Sequence, residues 1–131
     1  MNKKTILLDG NQFSTLQSFY EEVEKKCTKD LSWSIGRNLN ALNDVLRGGF
    51  GVHDYEEPVR LIWLSSDKSR HDLGWEETVN YLSAKLTTCH PSNIEAVKIE
   101  ITKAKNHTGQ TLFELIVALI QEHEHIDLLL Q

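Results

Sequence analysis

Three short runs of aliphatic and branched residues constrain this chain most: Thr5-Ile6-Leu7-Leu8, Val59-Arg60-Leu61-Ile62-Trp63-Leu64 and Ile126-Asp127-Leu128-Leu129-Leu130. Each reads as a strand, because branched and aromatic side chains pack well on a pleated surface. Stretches of helical periodicity separate them. Strands joined through helices enter a sheet in parallel by right-handed crossovers. The expected class is therefore α/β, with a small three-stranded parallel sheet packed against helices.

The helical stretches are read from spacing. Ser14-Thr15-Leu16-Gln17 fits a capping box opening a helix whose apolar positions are Leu16, Phe19, Tyr20, Val23 and Cys27. Glu21, Glu22, Lys25 and Lys26 fall off that stripe. A shorter helix runs from about Asn38 to Arg47 and stops at Gly48-Gly49. Trp75 to Leu86 carries Val79, Leu82 and Leu86 at helical offsets. Ser92 is placed to cap the next helix, with Ile94, Val97, Ile101 and Ala104 on one face. After a polar turn from Asn106 to Gln110, Thr111 to Glu122 forms the most apolar helix. No repeat and no Pro/Gly/Ser-rich linker divides residues 1–131, which read as one domain.

Composition narrows the function classes. Hydrophobic residues make up 40% and charged residues 25%, enough apolar material to offset the entropy of folding. The apolar runs are too short for a membrane span, and Thr5 to Leu8 is too short for a secretory h-region. A cytoplasmic location is expected. The net charge is -5, and residues 1–30, 31–60, 61–90 and 91–131 sum to 0, -1, -1 and -3. Without a basic block, nucleic acid is a poor direct ligand, whereas a basic protein is a suitable partner. Cys27 and Cys89 lie far apart with no CxxC spacing, so free thiols packed in the core are expected.

Chemistry-bearing clusters are few. The histidines of His123-Glu124-His125 are two apart with no third ligand beside them, and cover the turn before the last strand rather than hold a metal. Cys89-His90 are adjacent, which keeps them from facing each other as nucleophile and base. Ser65-Ser66-Asp67 and Ser69-Arg70-His71-Asp72 contain no nucleophile elbow. Gly48-Gly49-Phe50-Gly51 lacks a P-loop lysine, and suits a helix stop that a partner can approach closely. Trp33, Trp63 and Trp75 suit a core. No catalytic residue, cofactor or metal is expected.

The helix over 38–47 is the informative segment. At about 100° per residue, Leu39, Leu42 and Leu46 share one arc, while Asn40, Asn43, Asp44 and Arg47 share another. By itself that polar ridge reads as the solvated face of a surface helix more than as an interface.

The stretch Gly36-Arg37-Asn38-Leu39-Asn40-Ala41-Leu42-Asn43-Asp44-Val45-Leu46-Arg47-Gly48-Gly49 resembles the barstar family of ribonuclease inhibitors, in which a G-x-N-L-(D/N)-A-L-x-D-x-L-x-G pattern forms the helix that meets the nuclease. The lysine-led first strand ending in Asp9-Gly10, the first helix and the C-terminal strand follow in the family's order. The resemblance covers residues 3–64 and 111–131, and residues 65–110 read as an enlargement. It implies a barstar-like fold and a protein without enzymatic activity that plugs the active site of a cytotoxic ribonuclease as an immunity protein or antitoxin. A monomer is expected, although the sequence does not fix the oligomeric state. The resemblance also implies that Asp44 occupies the inhibitory acidic position, within a partner-binding surface of Ser34, Arg37, Asn40, Asn43, Asp44, Arg47, Gly48 and Phe50.

Three positions depart from the family pattern. Asn40 replaces an acid, Asn43 replaces an aromatic residue, and Val117-Ala118-Leu119 lacks the acid that some members carry in the final helix. Arg37 and Arg47 add positive charge, which suits a cognate partner with an acidic feature of its own. The alternative expectation is a general interaction or regulatory module on the same scaffold with a partner that is not a nuclease.

Overall fold

The computed structural model describes residues 4–27, 39–47 and 57–131. Three strands, β1 (Lys4–Asp9), β2 (Val59–Leu64) and β3 (Ile126–Leu130), form one sheet in the order β1-β2-β3, and both pairings are parallel. The helices are α1 (Leu16–Cys27), α2 (Leu39–Arg47), α3 (Ser66–Asp72), α4 (Trp75–Lys85), α5 (Ile94–Lys105) and α6 (Leu112–Gln121). The fold is α/β, a small three-stranded parallel sheet packed with helices, as expected. No helix among the described residues is long and apolar enough to cross a membrane.

Alternation along the strands sorts the two sheet faces. Ile6, Leu8, Val59, Leu61, Trp63 and Ile126 are buried on one face, together with the apolar sides of α1, α2 and α6. The opposite face carries an in-register row of Leu7, Ile62 and Leu129, in which Leu7 and Leu129 are exposed. At the centre sits Trp63, whose ring stacks on Phe19 at 5.6 Å and meets Phe113 edge-on at 5.1 Å. A second, smaller cluster joins Leu82 of α4 to Val97, Ile101 and Ala104 of α5. Thr78 ties α4 to the main core: its hydroxyl accepts the Leu112 N–H at 2.7 Å and donates to the Gly74 carbonyl at 2.6 Å.

Local structure corrects several expectations. The first helix is capped one residue later than Ser14, because Thr15 Oγ1 accepts the Ser18 N–H while Ser18 Oγ accepts the Thr15 N–H. A 3-10 turn over Pro91–Asn93, capped by His90, precedes α5, and Ser92 lies inside that turn rather than capping the helix. The true capping box stands at α6, between Thr111 and Glu114. The serine-rich segment after β2, to which the sequence assigned no element, is helical, as α3.

Glu22 also departs from its expected place off the apolar stripe. It is buried, and its carboxylate accepts the Asp9 N–H at 3.0 Å with Lys26 at 3.5 Å. Lys26 donates to the Leu7 carbonyl as well, so two charged side chains of α1 satisfy backbone groups of β1. Gly10 is required by proximity. A Cβ there would lie 2.7 Å from the Leu64 carbonyl oxygen and 2.8 Å from that of Ser65.

Tyr20 is buried, and its hydroxyl has no hydrogen-bond partner among the described residues. Burial, with a smaller contribution from Tyr81, raises its pKa well above the ordinary tyrosine value of 10.0. The folded state therefore holds this proton more tightly than the unfolded chain, so stability is complete below pH ~10 and is lost as pH rises beyond it. The expected slope is up to ~1.4 kcal/mol per pH unit. Urea midpoints measured from pH 8 to 11 should fall in the parent and stay nearly level in Tyr20→Phe; equal slopes in the two proteins would contradict the assignment.

Candidate functional site

Helix α2 is short, and its sequence divides sharply between two faces. Leu42, Val45 and Leu46 are buried, Leu39 is half-buried against the same cluster, and α2 packs on α1 and α6. Asp44 is exposed on the other side. A helix with one apolar stripe buried and a carboxylate outward is a rigid mount for that charge.

Asn43 is not part of the outward ridge. It is half-buried, and its Oδ1 accepts a hydrogen bond from His123 Nε2 at 2.6 Å. The position flanks the apolar arc of α2, where the turn between α6 and β3 reaches over it. The amide oxygen is thereby engaged inside the molecule. From the same turn, His125 Nε2 donates to the Leu46 carbonyl at 2.9 Å. Asn40 and Arg47 belong to the backbone of α2, and their side chains lie outside the described structure. Ser34, Arg37, Gly48 and Phe50 lie outside the described residues. On α6, at the turn where some family members carry an acid, Ala118 is exposed.

Several of the remaining chemical candidates engage internal partners. Cys89 Sγ contacts the Leu86 carbonyl at 4.0 Å, whereas His90 Nδ1 accepts the Ser92 N–H at 3.1 Å, so the adjacent pair engages different partners. The side chain of Cys27 is outside the description. Ser69 is buried and accepts the indole N–H of Trp63 at 2.9 Å, and Ser65 Oγ accepts from Asn11 Nδ2 at 2.9 Å. Trp63 is core, Trp75 is half-buried and stacks on His107 at 5.5 Å, and Trp33 lies outside the described residues. Among the described residues no group of three His, Cys, Asp or Glu is placed to hold a metal ion. The internal hydrogen bonds of His123 and His125 were not visible in the sequence, which offers no spacing rule linking a turn to a helix so distant along the chain.

The family model described as Barstar (barnase inhibitor) matches residues 3–95. The match takes in β1, α1, α2 and β2, and continues through α3 and α4, which the sequence suggested belonged to an enlargement, while residues 111–131 lie outside it. No match was found among curated proteins. With more than two thirds of its length matched, and with a parallel sheet backing an amphipathic helix of the family's pattern, the chain belongs to the barstar family.

Proposed function

We propose that this protein inhibits a cytotoxic ribonuclease as an immunity protein of the cytoplasm, occluding the nuclease active site with α2 and the glycine-rich segment that follows. The observation that carries this reading is the exposed Asp44 carboxylate on a helix whose other face is anchored in the core of a barstar-family fold. A ribonuclease site holds phosphate with cationic side chains, and a carboxylate delivered there replaces the phosphate's charge. The inhibitor needs no chemistry of its own; it acts by filling the site. Ser34, Arg37, Asn40, Arg47, Gly48 and Phe50 complete the proposed surface around Asp44. Asn43 serves instead to hold the helix.

Titration of barnase with the purified chain tests this reading. RNA hydrolysis should fall linearly to zero at one equivalent, and the chain alone should leave RNA intact. Undiminished hydrolysis at several equivalents would count against the inhibitory reading, and would favour a regulatory module with another partner.

Charge predicts a further property. A net charge of -5 on the inhibitor should steer it toward a basic active site, raising the association rate at low ionic strength. Stopped-flow rates with barnase should fall by at least about tenfold as salt shortens the Debye length from ~30 Å at 0.01 M to ~3 Å at 1 M. Rates independent of salt would remove electrostatic steering from the account.

A further inference from the structure

We infer that His123 and His125 are positioning residues of the interface, seating α2 so that Asp44 is presented at one fixed angle; the inference rests on the reading of α2 as the inhibitory helix. The apolar contacts of Leu42, Val45 and Leu46 supply attraction, but burial of this kind is not directional. A helix of nine residues held by it alone can roll or slide with little change in buried area. Two directional bonds remove that freedom. His123 Nε2 holds the Asn43 side chain at 2.6 Å, and His125 Nε2 holds the Leu46 carbonyl at 2.9 Å. Residues 43 and 46 are three apart, so both bonds land on one side of the helix about one turn from each other. Leu46 also lies in the last turn of α2, so the His125 bond acts there as a side-chain cap.

The clamp is fixed at its other end. The His123 N–H donates to the Ile120 carbonyl at 3.1 Å, and the His123 carbonyl accepts the Ile126 N–H at 3.0 Å. The His125 carbonyl accepts the Val59 N–H at 3.0 Å, tying the turn to the start of β2. The two imidazoles meet edge to face at 5.6 Å. Asp44 lies between the two gripped positions in sequence, so its direction is referred to the sheet. The Leu46 carbonyl can only accept, so the bonded His125 nitrogen carries a proton; a glutamine amide offers a donor at similar reach.

The test uses His123→Phe, His125→Phe, His123→Gln and His125→Gln, each with and without Asp44→Ala. Barnase inhibition is measured for every variant, and amide hydrogen exchange is followed in the free protein. Each Phe variant should keep the exchange protection of the sheet while the α2 amides exchange at least tenfold faster. Its inhibition constant should rise at least tenfold, and Asp44→Ala should cost less in that background than in the parent. The Gln variants should recover most of both losses, which a role in general packing would not produce. Parental exchange in α2 of the Phe variants, or Gln variants as impaired as Phe, would overturn the inference. A parent chain that leaves barnase active would count against the inhibitory reading alone, and the exchange comparison would then decide the positioning of α2 by itself.

Discussion

Asp44→Ala is expected to weaken binding to the nuclease by roughly thirtyfold or more, about 2 kcal/mol, while leaving the fold intact. The side chain is exposed, and α2 is held by Leu42, Val45 and Leu46, which the substitution does not touch. The loss arises on the partner's side, where a cationic site is buried in the complex without its counter-charge. Asn40→Ala should cost less, because removing a neutral amide strands a smaller desolvation penalty. Titration calorimetry on both variants, with circular dichroism as the folding control, measures the difference. Parental affinity for Asp44→Ala alongside weakened Asn40→Ala would mean that the partner reads this helix through hydrogen bonds to amides.

The largest effect on stability should come from Trp63→Ala, at about 3–5 kcal/mol. The indole is completely buried at the meeting point of β2, α1, α3 and α6. Truncation removes ring contacts with Phe13, Phe19 and Phe113 and leaves the buried Ser69 hydroxyl without its indole donor. Against a total stability of ~5–15 kcal/mol, such a loss brings a domain of this size near unfolding. Trp63→Phe, which keeps an aromatic ring but not the donor, should fall between parent and Ala. Urea denaturation orders the three proteins, and an Ala variant with the parental midpoint would contradict the central place assigned to this residue.

Periodicity made the sheet and most of the helices legible. Ile6 and Leu8, or Val59, Leu61 and Trp63, alternate as buried strand faces do, and the stripes of α1, α2, α5 and α6 repeat at helical spacing. Helix α3 was not legible, because Ser66–Asp72 has no apolar stripe and is held by contacts distant in sequence. Lys68 donates to the Phe13 carbonyl at 2.9 Å, and Arg70 lies 4.7 Å from the centre of the Phe113 ring. Glu22 was misplaced for a related reason. A helical pattern registers polarity, not the unpaired N–H that β1 offers at Asp9.

The outward direction of Asp44 followed from helix geometry alone. That Asn43 turns inward did not, since it depends on a histidine eighty positions away. The same distance along the chain hid the roles of the two histidines. Spacing argued against a shared ion, but only the fold reveals that their ring nitrogens serve the helix.

Amide hydrogen exchange in a one-to-one complex with barnase tests the central claim most directly, because it locates the contact surface without altering the protein. The account predicts that α2, Leu39–Arg47, gains strong protection on binding while nuclease activity is abolished, and that the open sheet face around Leu7, Ile62 and Leu129 exchanges as in the free chain. Protection confined to that sheet face, with α2 unchanged, would contradict it.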